Sequence, residues 1–278
     1  MRLTRLVALL LLALPLGFAA CGDDDEDDGA SQSQVVEVQA TEEGKNSVIT
    51  APESVQPGAV EIRFSNQGER DHSLQIVRLG EGHTATEALE AGEGWGEAGK
   101  SLPDWTRFIG GIGSTEPGGS GIAVVELPAG EYAAFDIEGE GPQSFAEFTV
   151  EGDEGAPLPE VPATVEAVDY DFTATALKAG SQRVLFKNSG KEPHHLIAGP
   201  MKPGLTQADL EKAVKNENAP SPIVEKKAFT TAILSGGEST VVDLRFESGE
   251  YALVCFVPDR AGGAPHAVKG MATITTVP

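Results

Sequence analysis

The chain has 278 residues, a formal net charge of −23, five histidines and two cysteines. That charge excludes a nucleic-acid partner, whose phosphates the whole surface would repel. Of the two cysteines one lies near the N-terminus, so the other has no disulfide partner within the folded part.

The first element in chain order is Arg2 and Arg5 followed by LVALLLLALPLGFAA, a basic start and a short apolar run ending in small residues. This predicts a signal peptide over residues 1–20. The run is shorter than the ~20 residues a bilayer needs, and Pro15 interrupts it, so it does not read as a spanning helix. FAAC at 18–21 resembles the cleavage box of bacterial lipoproteins, with Phe18 where Leu is usual. The resemblance implies a diacylglycerol on Cys21 and a protein anchored outside the cytoplasm to the outer face of a bacterial membrane. Acyl chains contribute roughly 0.8 kcal/mol per buried methylene, enough to hold it there. A plain secretory site that leaves Cys21 as a free thiol is the alternative. The residues after Cys21, GDDDEDDGASQSQ, predict an acidic, solvated tether over 21–34.

The rest of the chain repeats itself. GAVEIRFSNQGERDHSLQIV and later AGEYAAFDIEG in the first half answer to GSQRVLFKNSGKEPHHLIAGPM and SGEYALVCFVPD in the second. Asn66 pairs with Asn188, Gly68 with Gly190, His72 with His194, and Glu131-Tyr132 with Glu250-Tyr251. This predicts two copies of one domain, at 35–152 and 164–278, joined by a Pro-, Gly- and acid-rich linker at 153–163. Short alternating strands such as VEIRF, RVLFKN, TVVDLRF and ATITTV, bounded by Gly, Asn and Pro turns, predict an all-β fold of tandem sandwiches. Short helices are predicted at about 206–215, capped by Thr206, and more weakly at 84–91.

The chemistry lies in the second half. Residues 255–271 read CFVPDRAGGAPHAVKGM, and His194 lies upstream after a proline. At these residues the chain resembles the cupredoxins, the blue-copper family. The resemblance implies two tandem Greek-key β-sandwich domains and one type 1 copper site formed by His194, Cys255, His266 and Met271. A thiolate and two imidazoles with a weak thioether suit both Cu(I) and Cu(II). The ten residues between Cys255 and His266 make a longer loop than in most small members, and its segment DRAGGA looks loose. Strand alternation allows only one of His194 and His195 to point inward, and His194 is chosen because it follows Pro193 and aligns with His72. His195 and Pro258 are expected in the surrounding shell, His195 in place of an Asn that ties two ligand loops in the family.

The first half keeps the frame without the ligands: Asp136 falls where Cys255 would. His72 and His83 read as surface histidines, and Trp95 and Trp105 as a local mini-core in a spacer or docking module. No His-x-His pair occurs, and Val254 and Phe256 flank Cys255, so no enzyme is expected. Three functions remain: a one-electron carrier with a redox partner, a copper capture or delivery protein with an exchange partner, and a metal-free binding module.

Overall fold

In the computed structural model the described residues are 33–97, 100–138, 145–216 and 218–278. The predicted signal peptide, Cys21 and nearly all of the tether lie outside them. Among the described residues the chain is β-structure with three short α-helices, none long and apolar enough to cross a membrane.

The first half runs β1 (Gln34–Glu43), β2 (Asn46–Thr50), β3 (Ser54–Val55), β4 (Gly58–Asn66), β5 (His72–Arg78), α1 (Ala85–Glu93), β6 (Arg107–Thr115), β7 (Ser120–Leu127), β8 (Gly130–Phe135) and β9 (Phe145–Val150). The second runs β10 (Ala163–Val168), β11 (Asp171–Thr175), β12 (Gly180–Asn188), β13 (Ile197–Pro200), α2 (Gln207–Val214), β14 (Phe229–Thr230), β15 (Ser239–Phe246), β16 (Gly249–Val254), α3 (His266–Lys269) and β17 (Ala272–Val277). Strands β2-β1-β4-β7 lie in one sheet of the first half and β3-β9-β8-β5-β6 in the other. The second half has β11-β10-β12-β15 and β14-β13-β16-β17. In both, the first strand of the opening hairpin pairs in parallel with a later strand, β1 with β4 and β10 with β12, so the strand order is Greek-key rather than a simple meander.

The alternation in the sequence sets which side chains enter these sandwiches. In β12 Val184, Phe186 and Asn188 are buried while their neighbours are at least partly exposed, and in β1 Val36, Val38 and Ala40 do the same. Both helices carry the expected caps: Thr84 N–H donates to Glu87 at 2.9 Å and Thr206 N–H to Asp209 at 2.8 Å.

The halves are fused. Thr240, Val241 and Val242 of β15 pair with Val125, Val124 and Ala123 of β7, which makes one eight-stranded sheet. The segment at 153–163 is not a free tether: Ala59 N–H donates to Ala156 O at 2.7 Å, and Leu158 and Val161 pack on Ala59, Val124 and Val241 over that seam. On the other side buried Gln75 accepts from Ile233 N–H at 2.7 Å and donates to Ile233 O at 3.1 Å.

The repeated Asn and Tyr residues have one job each. Asn188 donates to Glu192 O at 2.8 Å and Leu234 O at 2.9 Å and accepts from Gly190 N–H at 2.9 Å, and Asn66 makes the matching set. Tyr251 OH accepts from Glu247 N–H at 2.8 Å, whereas Tyr132 OH donates to Pro128 O at 2.6 Å. Asn188→Ala would remove the side-chain donor to Glu192 O and one of the two donors to Leu234 O, which keeps His194 N–H, from a side chain that is itself fully buried, at a cost of about 2 kcal/mol. Urea unfolding of the variant should show that loss as a lower midpoint with an unchanged slope; an unchanged midpoint would mean the turn holds itself.

Candidate metal centre

Three segments converge at one end of the second sandwich. His194 is held by a two-way bridge to Leu234, donating at 2.9 Å and accepting at 2.8 Å. Cys255 directly follows β16, His266 opens α3, and Met271 precedes β17. The Cys255 and His266 ends of the loop are stitched together by Ala267 N–H to Cys255 O at 2.7 Å, His266 N–H to Val257 O at 3.0 Å, Met271 N–H to His266 O at 2.9 Å and Cys255 N–H to Met271 O at 3.2 Å. Gly270, at φ +117°, supplies the left-handed turn that ends α3 and brings Met271 back to Cys255. All four side chains are fully buried.

The donor atoms face one another. His194 Nδ1 and His266 Nδ1 lie 3.0 Å apart, and each is within 3.7 Å of Cys255 Sγ. Such separations are those between donors sharing one ion about 2.0–2.3 Å from each. Among the described residues, His194, Cys255 and His266 are the group of such donors able to hold a metal ion. The position of Met271 against this group rests on its backbone bonds to Cys255 and His266.

Burial shapes the ionisation of all three. It pushes the Cys255 thiol up to about 12. Burial, with the charge of His194, takes His266 down to about 4; His194 is also lowered by burial, against the pull of Asp169. At neutral pH the metal-free site therefore holds a protonated thiol and neutral imidazoles. A divalent ion that takes the thiolate must release that one proton. Copper affinity should rise about tenfold per pH unit between roughly pH 7 and 9. Chelator competition across that range checks this, and a flat profile would contradict it.

Each imidazole is held from behind by a carboxylate. His194 Nε2 lies 2.8 Å from Asp169 Oδ1, and His266 Nε2 lies 3.0 Å from Asp259 Oδ1. Tyr170 OH donates to the same Asp259 oxygen at 2.9 Å, and Lys269 Nζ sits 2.5 Å from the other. Burial alone would raise both carboxyls, but Asp169 is held low by the Lys191 N–H and His194, and Asp259 by Lys269 and Tyr170. His195 points away from the donors. Its Nε2 accepts from Phe256 N–H at 2.9 Å and so ties the His194 segment to the residue after Cys255. Pro258 faces Gly96 of the first half.

Several expectations need correction. The DRAGGA segment is not loose: Trp95 Nε1–H donates to Asp259 O at 2.8 Å, Leu102 N–H to Arg260 O at 2.7 Å, and the Arg260 guanidinium to Pro103 O at 2.6 Å and Thr106 O at 3.1 Å. Trp95 is thus no local mini-core; it bridges to the ligand loop of the other half, and Trp105 stacks on His83 at 4.0 Å. His72 is not a surface residue but fully buried, with Nδ1 2.6 Å from Asp136 and Nε2 2.9 Å from Glu42. A closed hydrogen-bonded triad occupies the first-half position that corresponds to the donor cluster.

No family model and none of the curated proteins matches the chain. Among solved structures it is similar to auracyanin B, at 26% identity over 44% of this chain and 93% of that one, with a TM-score of 0.28. It is also similar to auracyanin A, a "blue" copper protein of Chloroflexus aurantiacus, at 20% identity over 42% and 99% with a TM-score of 0.29. A multicopper oxidase matches at 15% identity over 91% of this chain and 94% of its own, with a TM-score of 0.25.

The expectation that the chain is no enzyme is corrected by these matches, which include multicopper oxidases and copper nitrite reductases over about nine-tenths of the chain. That expectation rested on absences, a missing His-x-His pair and no histidine beside Cys255, and an absence does not exclude an enzyme. At such TM-scores the likeness adds no weight to the site, which stands on its own geometry. An all-β Greek-key fold, a buried His-Cys-His cluster and a methionine tied to its backbone fit a cupredoxin with type 1 copper.

Proposed function

We propose that the chain binds one copper ion through His194, Cys255, His266 and Met271 and acts as a one-electron carrier outside the cytoplasm. The observation that carries this reading is the approach of two Nδ1 atoms and one Sγ to within 3.0–3.7 Å in a fully buried pocket. Copper held there would supply a Cu(I)/Cu(II) couple. The chain's own residues do the rest: the backbone stitches between Cys255 and Met271 keep the donors in place, the Arg260 and Trp95 contacts immobilise the loop, and burial excludes water. A pinned loop favours small rearrangement on electron transfer over the exchange that capture or delivery needs.

The reading extends to the rest of the chain. The basic-apolar start and the FAAC box support a lipid on Cys21 and a tethered position outside the cytoplasm. We read residues 35–152 and 164–278 as two copies of one domain, the first lacking donors, and the redox partner as a protein with a basic face that meets the strongly acidic surface. Titration of the full-length chain with Cu(II) tests the proposal. An intense visible thiolate-to-copper band saturating at one equivalent, bleached by reductant and restored by oxidant over many cycles, is expected. Copper bound without that band would favour capture or delivery, and no retained copper would overturn the site.

A further inference from the structure

Metal-ligating histidines are tuned by what their second nitrogen meets. Here both second nitrogens meet a carboxylate: His194 Nε2 faces Asp169 and His266 Nε2 faces Asp259, at 2.8 and 3.0 Å. The carboxylates are themselves fixed. Asp169 accepts from Lys191 N–H at 2.9 Å and Glu192 N–H at 3.2 Å, and Asp259 is held by Tyr170 and Lys269.

The backbone makes room for this arrangement. A Cβ on Gly190 would lie 2.2 Å from Asp169 Oδ1 and 3.1 Å from His194 Nε2, so only glycine leaves the carboxylate its place. Gly68 serves Glu42 in the same way behind His72, where an added Cβ would be 2.4 Å from the Glu42 carboxylate. The glycine that repeats in both halves therefore marks a carboxylate-backed histidine.

We infer that Asp169 and Asp259 are positioning residues that commit Nδ1 of each histidine to the metal and set the reduction potential of the site low, an inference that rests on the copper reading above. A carboxylate that accepts the Nε2–H increases the electron density on the ring and places a negative charge near the ion. Both effects favour the more highly charged oxidised ion over the reduced one. The two acids are unequal. Asp259 shares its charge with the Lys269 ammonium, whereas Asp169 is met by backbone N–H groups, so more of its charge acts on the site.

The test is potentiometric titration of the copper-loaded, full-length protein and its Asp169→Asn and Asp259→Asn variants, in which the amide oxygen still accepts from Nε2. Glu126→Gln, an exposed acid on β7, controls for the loss of one charge elsewhere. Asp169→Asn should shift the ratio of Cu(I) to Cu(II) affinity about tenfold towards Cu(I), a rise of about 59 mV for a one-electron couple, with the thiolate band retained. Asp259→Asn should shift it in the same direction by roughly threefold, and Glu126→Gln should leave it unchanged. A merely structural role would weaken the band or the fold without an ordered rise in potential. If Asp169→Asn fails to fold, Asp259→Asn carries the test alone. Potentials of both Asn variants that match the Glu126→Gln control overturn the inference while leaving the copper reading intact. A parent protein with no thiolate band overturns both.

Discussion

Replacing Cys255 by serine should abolish the visible thiolate-to-copper band and weaken copper binding by about two orders of magnitude or more, on the order of 3 kcal/mol. The oxygen of serine has nearly the place of the sulfur, but it is a hard donor that stays protonated near neutral pH and has little affinity for Cu(I). The loss belongs to the donor and not to the fold. Cys255 lies fully buried among Phe186, Leu253 and Met271, with its thiol pushed up to about 12, so in the metal-free protein it is an uncharged core side chain. Metal-free parent and variant should therefore unfold within about 1 kcal/mol of each other. Isothermal titration with copper beside urea unfolding of both metal-free proteins separates the two effects. If the variant keeps the band, sulfur is not the ligand; if it simply fails to fold, the thiol is a packing residue.

What could be read from the sequence follows from what repeats. Asn66 and Asn188, with Gly68 and Gly190, stand out because both halves need the same turn, tied by a buried asparagine, before the same histidine, and a turn of this kind restricts residue type. His194, Cys255, His266 and Met271 stand out because rare residues in a fixed order are conspicuous in a chain with five histidines. Asp169 and Asp259 do not, because two acids among 43 have no periodicity that singles them out. Their signal was indirect: a glycine two residues after the Asn, kept small so that a carboxylate can lie against it. The burial of His72 was hidden for the same reason, since its partners Glu42 and Asp136 come from β1 and from the residue just after β8, far apart in sequence. The role of Trp95 and of residues 102–106 was not legible either. Their contacts to the ligand loop are mostly backbone carbonyls and N–H groups, which any sequence supplies.

Those backbone contacts give the second large effect. Arg260→Ala should raise the rate of copper loss about tenfold and lower stability by about 2–3 kcal/mol. The guanidinium donates to Pro103 O and Thr106 O from the middle of the ligand loop, and the backbone of Arg260 is held as well, by Glu192 at its N–H and Leu102 at its O. Removing the side chain takes the guanidinium donor from Thr106 O, leaves Pro103 O with Thr106 N–H alone, and loosens the ten residues between Cys255 and His266, which keep only their backbone ties. Trp95→Phe keeps the ring against Phe108 and removes only the indole N–H to Asp259 O, so its effect should have the same sign and a smaller size. Arg183→Ala, a half-exposed arginine in surface ion pairs with Glu61 and Asp243, should leave the rate of copper loss unchanged and cost little stability. Stopped-flow transfer of copper to a chelator reads the rate, and denaturant unfolding reads the stability. If Arg260→Ala is destabilised but loses copper no faster than the parent, the first half supports the fold and not the site. If it loses copper faster, the donor-less half adds to the rigidity of this loop that the second half's own ties to Asp259 and Arg260 N–H begin.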